Sequence, residues 1–102
     1  MKRRSQRRPL AIVGVAWFRA DQWELLRSLS ADPEKLEETH AAWEAIATKT
    51  MQDLTRRGLI LRKVPMDVMN LLEWCRAQQR PVDSAARAAY ASELLGKETG
   101  AG

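Results

Sequence analysis

Apolar and polar positions along this chain follow two spacings, and each change of spacing marks the edge of an element. The longest apolar run is Leu10-Ala11-Ile12-Val13-Gly14-Val15-Ala16-Trp17-Phe18. Leu10, Ile12, Gly14, Ala16 and Phe18 share one alternating face, and Ala11, Val13, Val15 and Trp17 share the other. A short run with β-branched residues, apolar on both faces, predicts a strand covered on both sides. A buried helix is the rival reading, and Gly14 and the short length speak against it. Arg19-Ala20 closes the run.

The spacing then turns helical. Asp21-Gln22-Trp23-Glu24 has the form of a capping box, and Trp23, Leu25, Leu26 and Leu29 give the following helix its apolar face out to about Ser30. Asp32-Pro33 predicts a second helix start, and Gly58 a stop. Between them a single helix of about 25 residues, roughly 37 Å, is expected. Its stripe through Leu36, His40, Trp43, Ile46-Ala47, Thr50-Met51 and Leu54 is thin. It could cover one surface but not be buried all round.

Leu59–Val64 reads as a shorter second strand, turned by Pro65-Met66. Asp67 caps a third helix with Val68, Leu71, Leu72 and Cys75 on its inner face. Asp83 or Ser84 opens a fourth, with Ala86, Ala89, Tyr90 and Leu94 in register, and the chain from Gly96 onward is expected to fray.

The order is strand, helix, helix, twice over: a mostly helical α/β fold of two βαα units. Strands joined by a helical crossover pair most simply in parallel. Asp21 precedes Leu25-Leu26 at the same spacing as Asp67 precedes Leu71-Leu72. That suggests a duplication, although any strand-to-helix junction favours such a pattern. Two short parallel strands leave exposed edges. Helices must cover them, or a homodimer extends the sheet to four strands. The expected organisation is a basic flexible arm over residues 1–9, one α/β domain over 10–95, and a tail over 96–102.

Charge changes this picture less than the net value of +4 suggests. Lys2, Arg3, Arg4, Arg7 and Arg8 supply five of the 17 cations, leaving 12 against 13 acids, a net −1 for the remainder. The basicity therefore belongs to the arm. Arginine outnumbers lysine 12 to 5 in an alanine-rich chain, a bias that a GC-rich bacterial genome also produces. A single cysteine excludes an internal disulfide and fits a reducing compartment. The apolar run is far short of the roughly 20 residues of a membrane span, and no small-residue cleavage site follows it. A cytoplasmic location is the expectation.

Candidate chemistry is sparse. His40 and Cys75 are the sole residues of their types, too few for a closed zinc site, and Cys75 occupies a helical core position where thiols are usually inert. The acids from Asp32 to Glu44 lack the spacing of a calcium loop and read as a solvated helix face. Gly14 and Gly58 are isolated, so no glycine-rich phosphate cradle exists. No catalytic residue, metal site or cofactor is therefore assigned, and an enzyme is not the favoured reading.

Two binding surfaces remain. Trp43, flanked by Ala41, Ala42 and Ala45, is hard to bury within so small a chain and suits a protein interface together with His40 and Leu36. The arm, with Arg56 and Arg57 extending it, could contact the phosphates of a nucleic acid. The favoured expectation is a small non-enzymatic interaction protein, homodimeric, with an unnamed protein partner and no membrane. Nucleic-acid association is the alternative.

Overall fold

The computed structural model describes residues 12–98. The basic block Lys2–Arg8, the residues Leu10 and Ala11 and the end of the tail lie outside the described residues. The described chain is mixed α/β, with four α-helices and a two-stranded parallel sheet. In order these are β1 (Ile12–Phe18), α1 (Trp23–Leu29), α2 (His40–Arg56), β2 (Ile60–Met66), α3 (Val68–Ala77) and α4 (Ser84–Glu98). No described helix is long and apolar enough to cross a membrane.

The strands pair in parallel, in register from Ile12 opposite Ile60 to Phe18 opposite Met66. One face of the pair carries Gly14, Phe18, Val64 and Met66, the last three being buried. It packs on α4, and the approach is close because Gly14 has no side chain. A Cβ there would lie 3.1 Å from Val64 Cγ2 and 3.3 Å from both the Ala91 carbonyl and Leu95 Cδ2. Gly14→Val should therefore push α4 off the sheet and cost about 1–3 kcal/mol by overpacking. A urea midpoint unchanged from wild type would refute this.

The core gathers Phe18, Trp23, Leu26, Val64, Met66, Val68, Leu71, Cys75, Val82, Ala86, Tyr90, Ala91 and Leu95. Both strands and α1, α3 and α4 contribute. α2 contributes no fully buried residue.

A buried ion pair ties the two ends of this core together. Arg87 Nη1 and Nη2 donate to the two carboxylate oxygens of Asp32 at 2.9 and 3.1 Å. The same carboxylate accepts from the Ser84 backbone N–H at 2.9 Å, at the start of α4. Arg87 also donates to Ser30 Oγ at 3.3 Å. These bonds hold the carboxyl of Asp32 below the usual carboxylate range, Arg87 being the main cause against the opposing effect of burial.

Several local expectations give way to tertiary contacts. The single helix from residue 33 to 57 is broken: Pro33–Lys35 form one 3-10 turn, Leu36 is extended, and α2 starts only at His40. Asp32 does not cap its own turn because its carboxylate is committed to Ser84 and Arg87. Thr39 caps α2 instead, its Oγ1 accepting from Ala42 N–H at 3.1 Å.

The Asp21–Glu24 capping box does not form either. Asp21 pairs with Arg19, and a 3-10 turn over Ala20–Gln22 leads into α1. Pro65-Met66 belong to β2 rather than to a turn. Proline is tolerated on an edge strand, where its missing N–H faces no neighbour. α4 runs on through Gly96 to Glu98.

Other sequence signals act as written. Asp67 Oδ1 accepts from Asn70 N–H at the start of α3, and Asp83 Oδ1 from Ala86 N–H at the start of α4, both at 2.9 Å. Gly58 ends α2 at φ +99°. Leu59 N–H returns to the Leu54 carbonyl and Gly58 N–H to that of Thr55, the pair of bonds of a Schellman motif.

Candidate interaction surface

The second face of the sheet carries Val13, Val15 and Trp17 from β1 and Leu61, Lys63 and Pro65 from β2. α4 lies on the opposite face. On this side α2 approaches, and among the described residues it covers the sheet incompletely. Val13 keeps 43% of its surface exposed, and Lys63 and Pro65 are exposed as well. Ladders of this kind normally have both faces covered.

α2 is anchored at its first turn by an aromatic cluster. Trp43 lies 4.8 Å from Trp17, 5.7 Å from Phe18, 5.3 Å from Trp23 and 5.2 Å from His40, measured between ring centroids. Two hydrogen bonds fix the cluster to the backbone. Trp23 Nε1 donates to the Glu37 carbonyl at 3.1 Å, and His40 Nε2 lies 2.7 Å from the Phe18 carbonyl. A carbonyl only accepts, so Nε2 of His40 carries the proton.

Beyond Trp43 the helix leaves the core. Ala47, Met51 and Leu54 are half-buried, and Ile46 is 53% exposed. Between the C-terminal half of α2 and β2 runs a groove of about 430 Å3, lined by Thr48, Met51, Gln52, Thr55, Arg56 and Lys63. Its floor is mainly apolar, with Arg56 and Lys63 placing charge at its margin. Lys63 Nζ also sits 4.1 Å above the Trp17 ring, a cation–π contact that ties the groove to the aromatic cluster.

The three residues expected at an interface fall close together. His40 and Trp43 are half-buried in the cluster, and Leu36 packs half-buried against the core just before α2. The sequence missed Ile46, Val13 and the groove residues as members of the same surface. The signal for Val13 was the apolar second face of β1, which had been assigned to burial.

Of the residues expected to contact nucleic acid, Lys2, Arg3, Arg4, Arg7 and Arg8 lie outside the described residues. Arg56 pairs with Asp53, which Lys49 also approaches at 3.6 Å. Arg62 pairs with Glu98 at 2.7 Å. Arg57 is exposed and has no ion pair among the described residues.

Groups with catalytic potential are held in packing roles. Cys75 is buried, and burial pushes its thiol above the usual range, which works against forming a thiolate nucleophile. Burial likewise pushes the Tyr90 hydroxyl up. Asp67 is held below the usual carboxylate range, chiefly by the Asn70 N–H it caps. Its neighbour Gln22 completes that junction, accepting from Val68 N–H at 2.9 Å. Among the described residues no three histidine, cysteine or acidic side chains gather as a metal site would require.

No family model matches the chain, and neither a curated protein nor a solved structure matches it at significance.

Proposed function

We propose that this protein is a small non-enzymatic interaction module whose docking surface is α2 together with the uncovered face of the sheet. One observation carries the reading. A helix of 17 residues has no buried residue, yet its stripe is half-buried beside a sheet face on which, among the described residues, Val13, Lys63 and Pro65 stay exposed. An amphipathic helix gains most of its stability from packing that stripe. Here the packing is left half made, as at a surface that a partner completes. Ile46, Met51, Leu54 and Val13 supply the apolar centre, and aliphatic Leu36 with aromatic His40 and Trp43 its margin. The protein acts as a homodimer in this reading.

The surface is tested by photo-crosslinking. A photoreactive side chain at position 46, on the exposed flank of α2, should trap a discrete cross-linked species in cells. The same group at Ser92, exposed on α4, serves as the control. Equal labelling from the two positions would count against the docking surface.

A further inference from the structure

We infer that the occupant of this surface is a second copy of the chain, its α2 running antiparallel to the first, with the acidic approach to one helix facing the basic exit of the other. The inference rests on the docking surface proposed above and adds the way the two copies face each other.

α2 is polarised along its length. Glu34, Glu37 and Glu38 precede it and Glu44 lies in its second turn; all four are exposed, and none has an ion pair among the described residues. At the other end stand Arg57, without an ion pair among the described residues, Arg56, which shares Asp53 with Lys49, and Lys63 of β2 across the groove, so that the end is net basic. A complementary partner must offer base at one end and acid at the other, separated by the length of the helix, about 25 Å at 1.5 Å per residue. A reversed copy of α2 meets that requirement. Around a two-fold axis each match occurs twice, because the same patch serves both protomers.

The antiparallel order also sets each helix dipole against the opposite end of its neighbour's. Between the charged ends the helix presents Ile46, Ala47, Thr50 and Leu54, small or apolar side chains that permit close approach. The charge pattern, rather than the apolar stripe alone, selects this partner: an apolar groove accepts many occupants, whereas a helix with opposite charge at its two ends accepts few.

Two charge-reversed variants of the full chain test the inference. One is Arg56→Glu with Arg57→Glu; the other is Glu34→Lys with Glu37→Lys and Glu38→Lys. The Glu37 change spares the Trp23 bond, which uses the backbone carbonyl. Light scattering should return twice the chain mass for the wild type, with dissociation increasing as salt is raised. Each variant alone should dissociate at least tenfold more readily, and an equimolar mixture should regain the double mass. That recovery also shows that both variants fold.

A dimer that persists in both single variants overturns the inference, leaving strand pairing through the free edge of β1 as the route. A mixture that stays monomeric, with both variants folded by circular dichroism, overturns it as well. A wild type that is monomeric throughout the micromolar range removes the second copy but not the docking surface, which the cross-link from position 46 decides separately.

Discussion

Arg87→Met should be among the most damaging single substitutions in this protein, costing about 3–5 kcal/mol. That range is a large fraction of the roughly 5–15 kcal/mol by which a folded domain is usually stable. The loss comes less from the ion pair itself than from what its removal leaves behind. Asp32 is 8% exposed, and without the guanidinium its charge stays buried with one remaining donor, the Ser84 N–H. Asp32→Asn should cost less, since an amide oxygen still accepts from Ser84.

The pair also sets an acid limit. The carboxyl of Asp32 is held below its ordinary value. Its contribution is therefore fully present above that ordinary value, about 3.9, and disappears as pH falls through the lower value of the folded state. Urea midpoints should fall steeply in this acid window for wild type and less so for Asp32→Asn. Parallel pH profiles for the two proteins would show that another carboxylate controls acid unfolding.

The same residues show where sequence reading succeeds and where it stops. The parallel strand pair was legible because β1 is apolar on both faces and a helical crossover leaves few ways to pair it with β2. The caps at Asp67 and Asp83 were legible because each bonds an amide three residues ahead, within its own segment. Asp32 was misread for the converse reason. Its partners Ser84 and Arg87 lie more than fifty residues away, and local spacing holds no record of them. The stretch Gln78-Gln79-Arg80-Pro81 reads as a helix end, but the left-handed backbone of Gln79 is not announced by its residue type. Gln79 ends α3 at φ +55°, in the place where glycine usually stands.

The proposed docking surface was half legible. Trp43 could be singled out as hard to bury, and the thin stripe of α2 as insufficient for full burial. That Trp43 would instead join Trp17, Trp23 and His40 in one cluster depends on the break at Leu36, and that break depends on Trp23 claiming the Glu37 carbonyl. The apolar second face of β1 looked like burial from sequence. In the fold it is the part of the sheet that α2 leaves open.

Trp23→Ala carries the second large expected effect, about 3–5 kcal/mol for the lost burial and the cavity together. Trp23 is 2% exposed and contacts Phe18, His40 and Trp43. Its loss should be felt unevenly. α4 packs on the strands, and α3 on α4 and α1, through their own buried residues, whereas α2 is held chiefly by this cluster at its first turn. Trp23→Phe separates the contributions. It keeps most of the ring packing but removes the bond to the Glu37 carbonyl, a net loss of roughly 0.5–1.5 kcal/mol. Hydrogen exchange on this variant should accelerate at the α2 amides, beginning at Trp43, and change little in α3. Uniform acceleration across both helices would mean that α2 is not independently tethered. If the tether holds as described, Trp23→Phe should also weaken self-association, although Trp23 lies beneath the docking surface and touches no partner. The orientation of α2 decides whether its charged ends can meet a second copy, and that orientation is set from within the core.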